Sequence, residues 1–590
     1  MTSQEGTSVS SDTMTSSIST NKRPLSGDSF VWTHFEDIGG NKVKCRFPNC
    51  DDEYSIGSSR NTKKPLYHLN KKHQIHEIKE SQSTFDSSFD LSDGPLLAKT
   101  SLERASVKVA VENMVPLTLF SSDSFIKYGE LLNVNFREFA IDDAALSDKM
   151  FQIYMARLSE IKSELAEQVG VSLTCDIWTS PNNISYFGVT AHYINKDFKP
   201  ISLVLSLKET NGNHDASTIS SIINDVIAEY GIKENILAVT FDDASSDLAA
   251  VPLLDAGIGC DSSVRCMTHM LDLIAKEGLR ILDAGSGDVN NDIHSILSKI
   301  RNFSKKISMS PQLEKRFAVY AKINSQTDVP ILDDQTRWNS TCDMLERAVE
   351  LAKTIDFFTS NEPGMSEFRL DDLEWAKVKL VISLLQPLEE MTEFFSQDGD
   401  GNIGGYIFAF DNLKTTLEKL DILPEMVEVR EVINGMLVKV AEYYSKVKDN
   451  EALRIADLLR PNGLLTDEEV DFLKEKSSMF VNSQDLTETA NAVGLKARLF
   501  GYGNFPTVDS EILAYSKMTN MPVLNLVDFW ANAQILPTLR NMARNYLSIQ
   551  PSTAPTERLF SKCQFFLTDQ KNKQSPETLQ ALVCLNSWGI

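Results

Sequence analysis

The sequence predicts a multidomain α+β protein: a small ββα-like zinc finger, a mixed α/β domain, a large all-helical stretch and a helical C-terminal region. Three observations carry this. Cys45, Cys50, His68 and His73 stand at metal-ligand spacing near the start of the chain. Five strand-like runs, interleaved with amphipathic helices, fall between residues 171 and 267. After about residue 285 strand-like runs nearly vanish and helical periodicity takes over.

Taking the elements in order, residues 1–27 form a Ser/Thr-rich tail; residues 1–20 alone hold twelve Ser or Thr, so disorder is expected. Residues 28–78 are the finger, and 79–100 a Ser- and Asp-rich linker. Residues 101–168 read as helical, with a break at Pro116. In the 169–285 segment, VSLTCDIW, ISYFGVTAHYI and ISLVLSLKE are strands separated by polar turns. STISSIINDVIAEYGI follows as a helix, NILAVTFDDA as a fourth strand, and VRCM as a short fifth leading into the helix THMLDLIAKEGL. This pattern implies a mixed sheet with helices packed on it. In the 286–515 segment Met344, Ala348, Leu351, Ile355 and Phe358 share one helix face, and helices are expected over 372–396, 405–421 and 425–448, with 480–525 irregular. The 516–590 segment reads as three final helices, the last opened by Ser575 as N-cap and Pro576 at the first helical position.

Bulk properties narrow the function. Apolar residues are 42% and charged residues 24% of the 590, ordinary for a soluble globular protein. No apolar run reaches the roughly 18–20 residues of a membrane helix, and no secretory signal is visible. The eight cysteines are too scattered for a disulfide framework, which fits a reducing intracellular compartment. Neither a membrane nor a small-molecule substrate is expected as a partner. The net charge, 58 − 82 = −24, opposes DNA binding by the body as a whole. The finger escapes that trend: Arg60 to His73 contains five basic residues and no acid.

Zn²⁺ prefers thiolate and imidazole, and Cys45, Cys50, His68 and His73 fill a closed tetrahedral site, so the metal would be structural. The segment resembles a BED-type zinc finger: an aromatic VWTHF start, a Cys pair and a basic helix ending in His. It uses C-x4-C where C-x2-C is commoner in that family. Arg60, Lys63, Lys64, Tyr67, Lys71 and Lys72 are the candidate phosphate or base contacts to double-stranded DNA. The alternatives are chance spacing and a finger used for protein contact.

Asp176 closes the first strand of the mixed sheet, Asp242 closes the fourth, and Glu557 opens a helix over 300 residues later. Taken alone, each fits an ordinary strand-end, cap or first-turn acid. The blocks LTCDIWTS, VTFDDAS, VRCMTHMLDLI, DQTRWNST and PSTAPTERLFS, in this order, resemble the hAT family of DNA transposases, and SPETLQALVCLNSW resembles its dimerisation segment. The resemblance covers the finger and roughly 115–590. It implies a ribonuclease H-like mixed α/β domain interrupted by a large all-helical insertion, with a helical C-terminal dimerisation region. It also implies that Asp176, Asp242 and Glu557 are catalytic and bind two Mg²⁺ or Mn²⁺ ions, hard cations that take oxygen ligands. The implied reaction is DNA cleavage and strand transfer by a homodimer or higher homo-oligomer.

Cys266 and His269 match the family's C-x-x-H, with His269 placed to contact DNA or, alternatively, to cap a helix while Cys266 packs in the core. Trp338 matches a Trp that stacks on a base near the cleaved end; a buried aromatic anchor is the other reading. Where the family usually has D-N-A-x-N, this chain has Asp242-Asp243-Ala244-Ser245-Ser246, and its late basic stretch reads Lys571-Asn572-Lys573-Gln574. Three functions are therefore open: a transposase, a transposase-derived nuclear transcription regulator whose catalytic site is idle, and a zinc-stabilised protein scaffold. Nuclear placement rests on function, because Asn21-Lys22-Arg23-Pro24 is too short for an import signal.

Overall fold

The computed structural model describes residues 35–39, 42–47, 50, 52–55, 65, 68, 72 and 95–590, apart from 135, 181–182, 211–213, 243–248, 256–262, 285–292, 327, 335–336, 398–401, 462–464, 481–506, 519–524 and 568–574. The chain divides into two compact units, Met1–Phe85 and Asp86–Ile590. The expected tail 1–27 lies outside the described residues.

The first unit is an antiparallel sheet of β1 (Phe35–Gly39), β2 (Lys42–Cys45) and β3 (Glu53–Ser55), in that order. Pro65, His68 and Lys72 are helical. The sheet thus has one strand more than the ββα pattern. The chain reverses between the cysteines: Cys50 N–H donates to Phe47 O (3.1 Å) and Cys45 N–H to Asp52 O (3.0 Å), which returns Glu53–Ser55 alongside β2. Phe35 and Val43 are fully buried and supply the small core.

The second unit is built on a five-stranded mixed sheet. Its strands are β4 (Val171–Thr179), β5 (Ser185–Ile194), β6 (Pro200–Glu209), β7 (Ile236–Phe241) and β8 (Ser263–Arg265), in the order β6-β5-β4-β7-β8. β4 pairs antiparallel with β5 and parallel with β7, and β8 continues the parallel side. Ahead of the sheet run helices α1 (Pro95–Asn113) and α2 (Asp143–Ala166). α1 begins inside the segment expected to be linker. The crossover from β6 to β7 is α3 (Ala216–Tyr230), opened by the Asp215 side chain accepting from Thr218 N–H (2.7 Å) and closed at Gly231 with φ +65°, which suits glycine.

Beyond β8 the chain becomes helical. The helices include α4 (Met267–Ala284), α5 (Ile293–Ser308), α6 (Pro311–Ile323), α7 (Trp338–Glu350), α8 (Asp372–Phe395) and α9 (Arg430–Val447). Their inward faces form one extended apolar core that includes Ile300, Phe303, Phe317, Leu345, Phe358, Val381 and Met436. The expected helix 425–448 starts later, after a 3₁₀ turn over Pro424–Val429.

Among the described residues, the final segment holds four helices where three were expected. LVDFWANAQILPTLRNMARNYLS breaks into Leu526–Asn532 and Pro537–Tyr546. Pro537 disfavours a helical residue before it, and Leu536 takes φ −121° and ψ 61°. The last two are α10 (Ala554–Leu567) and α11 (Pro576–Ser587). Both return to the sheet. α11 seals its outer strand: Val204 N–H donates to Ser587 Oγ (2.8 Å) and Trp588 Nε1–H to Val204 O (2.9 Å). Trp588 also stacks on Tyr154 of α2, with ring centroids 5.3 Å apart. No helix among the described residues is long and apolar enough to cross a membrane.

Candidate metal centres and nucleic-acid interface

In the first unit, Cys45, Cys50 and His68 bring one ligand atom each within 4.8 Å of one another, all buried. Cys50 Sγ lies 3.4 Å from His68 Nε2. Zinc bonds of about 2.3 Å to sulfur and 2.0–2.1 Å to nitrogen at tetrahedral angles leave such atoms about 3.5 Å apart, so the three fit zinc. The other ring nitrogen is committed: His68 Nδ1 lies 3.2 Å from Asp52 Oδ2 and 2.9 Å from Tyr54 Oη. A proton on Nδ1, shared with the carboxylate, leaves Nε2 as the metal-facing lone pair. Lys72 Nζ anchors Asp52 at 2.7 Å, and its bond and charge hold the Asp52 carboxyl below the usual range. Burial, reinforced by Asp52, pushes the Tyr54 phenol up to about 12. Burial and the adjacent Cys50 also raise the Cys45 thiol, a shift that metal ligation would reverse. Arg60, Lys63, Lys64, Tyr67, Lys71 and His73 lie outside the described residues. Lys72 is half exposed, with its ammonium turned to Asp52.

In the second unit, β4 has two unlike faces. Val171, Leu173 and Cys175 pack into the apolar core, whereas Ser172, Thr174 and Asp176 alternate with them on the other face. The latter face continues through Thr190 and His192 of β5 and Thr240 of β7. It is buried yet polar, and its groups satisfy one another. Thr174 bonds Thr190, lies 3.2 Å from His192 Nε2, and meets Thr556 Oγ1 at 2.8 Å. Burial, with the Arg558 charge adding to it, pushes His192 down to about 3, so it is neutral. Opposite Asp176 stands Gly188, where a Cβ would lie 2.7 Å from Thr556 Cγ2 and 3.0 Å from Phe560. The missing side chain lets α10 approach the sheet.

The three candidate carboxylates are carried to this face. Thr174 and Thr240 are register partners on adjacent parallel strands, and Asp176 and Asp242 each follow two residues later. They therefore stand level on neighbouring strands, which lie about 4.8 Å apart. Asp242 follows the end of β7, but Asp176 does not close β4 as expected, because pairing with β5 carries that strand on to Thr179. Asp176 Oδ1 accepts from Ile177 N–H (2.7 Å). Asp242 Oδ1 accepts from the Thr553 hydroxyl (3.0 Å), and its Oδ2 lies 3.6 Å from His269 Nδ1. Glu557 sits one helical turn beyond Thr553, its N–H donating to Thr553 O (3.1 Å). Glu557 is exposed at the surface. Burial and then the Asp242 charge push its carboxyl above the usual range, while Arg558, Arg337 and His269 oppose that rise.

These oxygen donors suit a hard divalent cation. They are not drawn tightly together: among the described residues, the groups of three ligands within 4.8 Å are Cys45, Cys50 and His68, and Cys342, Glu346 and Glu389. A pair of ions about 3.5–4 Å apart does not require three carboxylates to meet that closely. In the second group, burial and the two glutamates raise the Cys342 thiol, which opposes thiolate ligation.

Cys266 is fully buried, its thiol pushed up to about 12 by burial, and accepts from Thr553 N–H (3.3 Å). His269, on α4, is a third exposed and stands at the rim beside Asp242. Trp338, at the start of α7, is 3% exposed and lies in the helical core, so in this conformation it offers no face to a base. Asp243–Ser246 and Lys571–Gln574 lie outside the described residues. The residues that sequence reasoning missed are Thr553, Gly188 and Arg337. Thr553 had a faint signal, its four-residue spacing before Glu557, and Arg337 stands next to Trp338.

Comparison with known proteins follows the same map. The BED zinc finger model matches residues 29–74, the ZBED1 RNase-like domain 174–268, the ZBED1 RNase-like helical domain 264–384, and the hAT family C-terminal dimerisation region 509–589. The RNase-like match includes Asp176 and Asp242, and the dimerisation match includes Glu557. Among relatives, tpeD of Talaromyces stipitatus, named as a transcriptional regulator, is 24% identical over 73% of this chain and 55% of its own length. A Zea mays protein named as an AC transposase is 22% identical over 96% of this chain and 76% of its own length. The zinc finger BED domain-containing protein DAYSLEEPER of Arabidopsis thaliana is 22% identical over 82% of this chain and 72% of its own length. With its finger, its RNase-like body and its C-terminal region each matched in order, the chain is similar throughout to hAT transposases and to BED zinc finger proteins.

Proposed function

We propose that this is a nuclear, zinc-dependent protein that binds double-stranded DNA through its finger, associates with itself, and holds a two-metal site for DNA cleavage and strand transfer. The observation that carries the reading is the convergence of Asp242 and Glu557, more than 300 residues apart, through Thr553. In this reading Asp176, Asp242 and Glu557 hold Mg²⁺ or Mn²⁺. Those ions would supply the charge that activates a water or 3′-hydroxyl and stabilises the leaving oxygen. The chain's own groups do the positioning. Thr553 fixes one oxygen of Asp242, and the Thr174–Thr556 bond sets the depth of α10. His269 and Arg337, at the rim, offer hydrogen bonds and positive charge to a phosphate.

A second reading, a transposase-derived transcription regulator with the same site idle, is favoured by one observation: tpeD, a relative across most of this chain, is named as a regulator. The two separate in a Mn²⁺-dependent cleavage assay on DNA carrying the gene's own flanking sequences. Cleavage by the wild type and none by Asp176→Ala supports the enzyme; equal inactivity of both, with specific DNA binding retained, leaves the regulator.

A further inference from the structure

We propose that the outer face of α5, α6 and the adjoining helix Ala352–Asn361 is a second DNA-contact surface, gripping the phosphate backbone independently of the finger. The proposal rests on the DNA-binding reading above. Its first support is charge. Residues 293–324 contain seven basic residues (Lys299, Arg301, Lys305, Lys306, Lys315, Arg316 and Lys322) and one acid, Glu314, in a chain whose net charge is −24.

Partnering sorts these residues. Lys299 pairs with Glu374 (2.5 Å), Arg301 with Asp333 (2.8 Å), Lys306 with Glu367 (3.2 Å), and Arg316 with Glu362. Lys305, Lys315 and Lys322 are exposed and form no ion pair among the described residues, and the same holds for Lys353. Structural pairing therefore accounts for four of the seven and leaves a set facing water.

Geometry is the second support. α6 buries Phe317 and Ala321 against the core. At 100° per residue, Lys315, Val319 and Lys322 fall on the opposite side of that helix. Lys315 and Lys322 are seven residues apart, about 10 Å along the axis, a spacing that can follow a phosphate backbone. On the neighbouring helix, Lys353 and Phe357 are one turn apart. Phe357 is 44% exposed and lies edge-on to Tyr320 of α6, with centroids 5.3 Å apart. The exposed lysines stand close enough on two helices to share one stretch of phosphate backbone. An evenly solvated helix face would not need the lysines to gather in one segment of an acidic body.

The test uses the full-length chain and random-sequence duplex DNA, with binding measured against salt. Lys315→Glu, Lys322→Glu and Lys353→Glu are combined in both the wild type and a Cys45→Ser background. Each lost phosphate contact lowers the slope of log affinity against log salt by about 0.9, so the slope should fall by about 2.7 in both backgrounds. The corresponding Lys→Gln triple, with an unchanged melting curve, should show the same loss and excludes misfolding as its cause. Unchanged slopes overturn the proposal while leaving the finger's role intact. No DNA binding by the wild type overturns the DNA reading itself. Loss of binding to polyglutamate with DNA binding intact overturns it in favour of an acidic protein partner.

Discussion

The two candidate metal centres are built on opposite principles. In the finger, Cys45, Cys50 and His68 already stand at coordination distances, and Asp52, Tyr54 and Lys72 have set the imidazole's orientation. In the RNase-like body the carboxylates come from separate elements, and the Asp242 charge helps push Glu557 above the usual range. Cys45, Cys50 and His68 come from within 24 residues of chain, and the turn between the cysteines sets those two side by side. The acidic site is assembled from three segments far apart in the sequence. A structural site gains from closure; a reactive one must leave room for phosphate.

The largest effect expected from this contrast is in the finger. Cys45→Ser should remove the bound zinc measured by mass spectrometry and lower sequence-specific DNA affinity at least 100-fold, because structural zinc supplies about 10–16 kcal/mol of folding energy to small fingers. The unfolding of the second unit should not move. Retained zinc would erase the contrast.

Next in size is Gly188→Val. Its side chain would collide with Thr556 and Phe560, and displacing α10 should cost about 1–3 kcal/mol in denaturant unfolding. The same change should abolish any rise in melting temperature caused by Mn²⁺, because Glu557 moves with α10. Unchanged stability would show that the acidic site tolerates a looser seat than the structure implies.

The smallest effect sharpens the comparison most. Glu557 is held above the usual carboxylate range, so the folded protein binds its proton more tightly than the unfolded chain does. Its ionisation therefore costs stability as pH rises from the ordinary carboxylate range through the raised value. Glu557→Gln should stabilise the metal-free protein at pH 7, by only a few tenths of a kcal/mol because solvent screens an exposed group. The gain should vanish in acid, and the Mn²⁺-induced melting shift should vanish with the carboxylate. A loss of stability at pH 7 would count against repulsion at the site.

What the sequence made legible was whatever lies in local patterns. The Cys45–Cys50 and His68 spacing encodes a turn and a helix, and alternating runs marked all five strands of the mixed sheet. Asp242 was readable as a strand-end acid, whereas Asp176 lies inside β4, which runs on to Thr179, and only the family resemblance tied either to Glu557. Thr553 and Gly188 were opaque, because their roles lie in contacts between segments hundreds of residues apart. Glu53–Ser55 was too short to announce itself as a strand, although Pro537 marked a helix break that periodicity alone passed over. Trp338 shows the same limit: a tryptophan beside a charged residue reads equally as anchor or platform, and only packing shows it 3% exposed.

The seal on β6 has a consequence in time. Val204 waits for Ser587, 383 residues downstream, before its edge is covered. At about 5–20 residues per second, a ribosome leaves that strand uncapped for roughly 20–75 s. During synthesis the strand is a ready template for mispairing with another nascent chain. Glu557 is also made late, so the acidic site cannot form before the body is almost complete. If the protein acts on DNA as proposed, it becomes competent to do so only after Glu557 and Ser587 have been made.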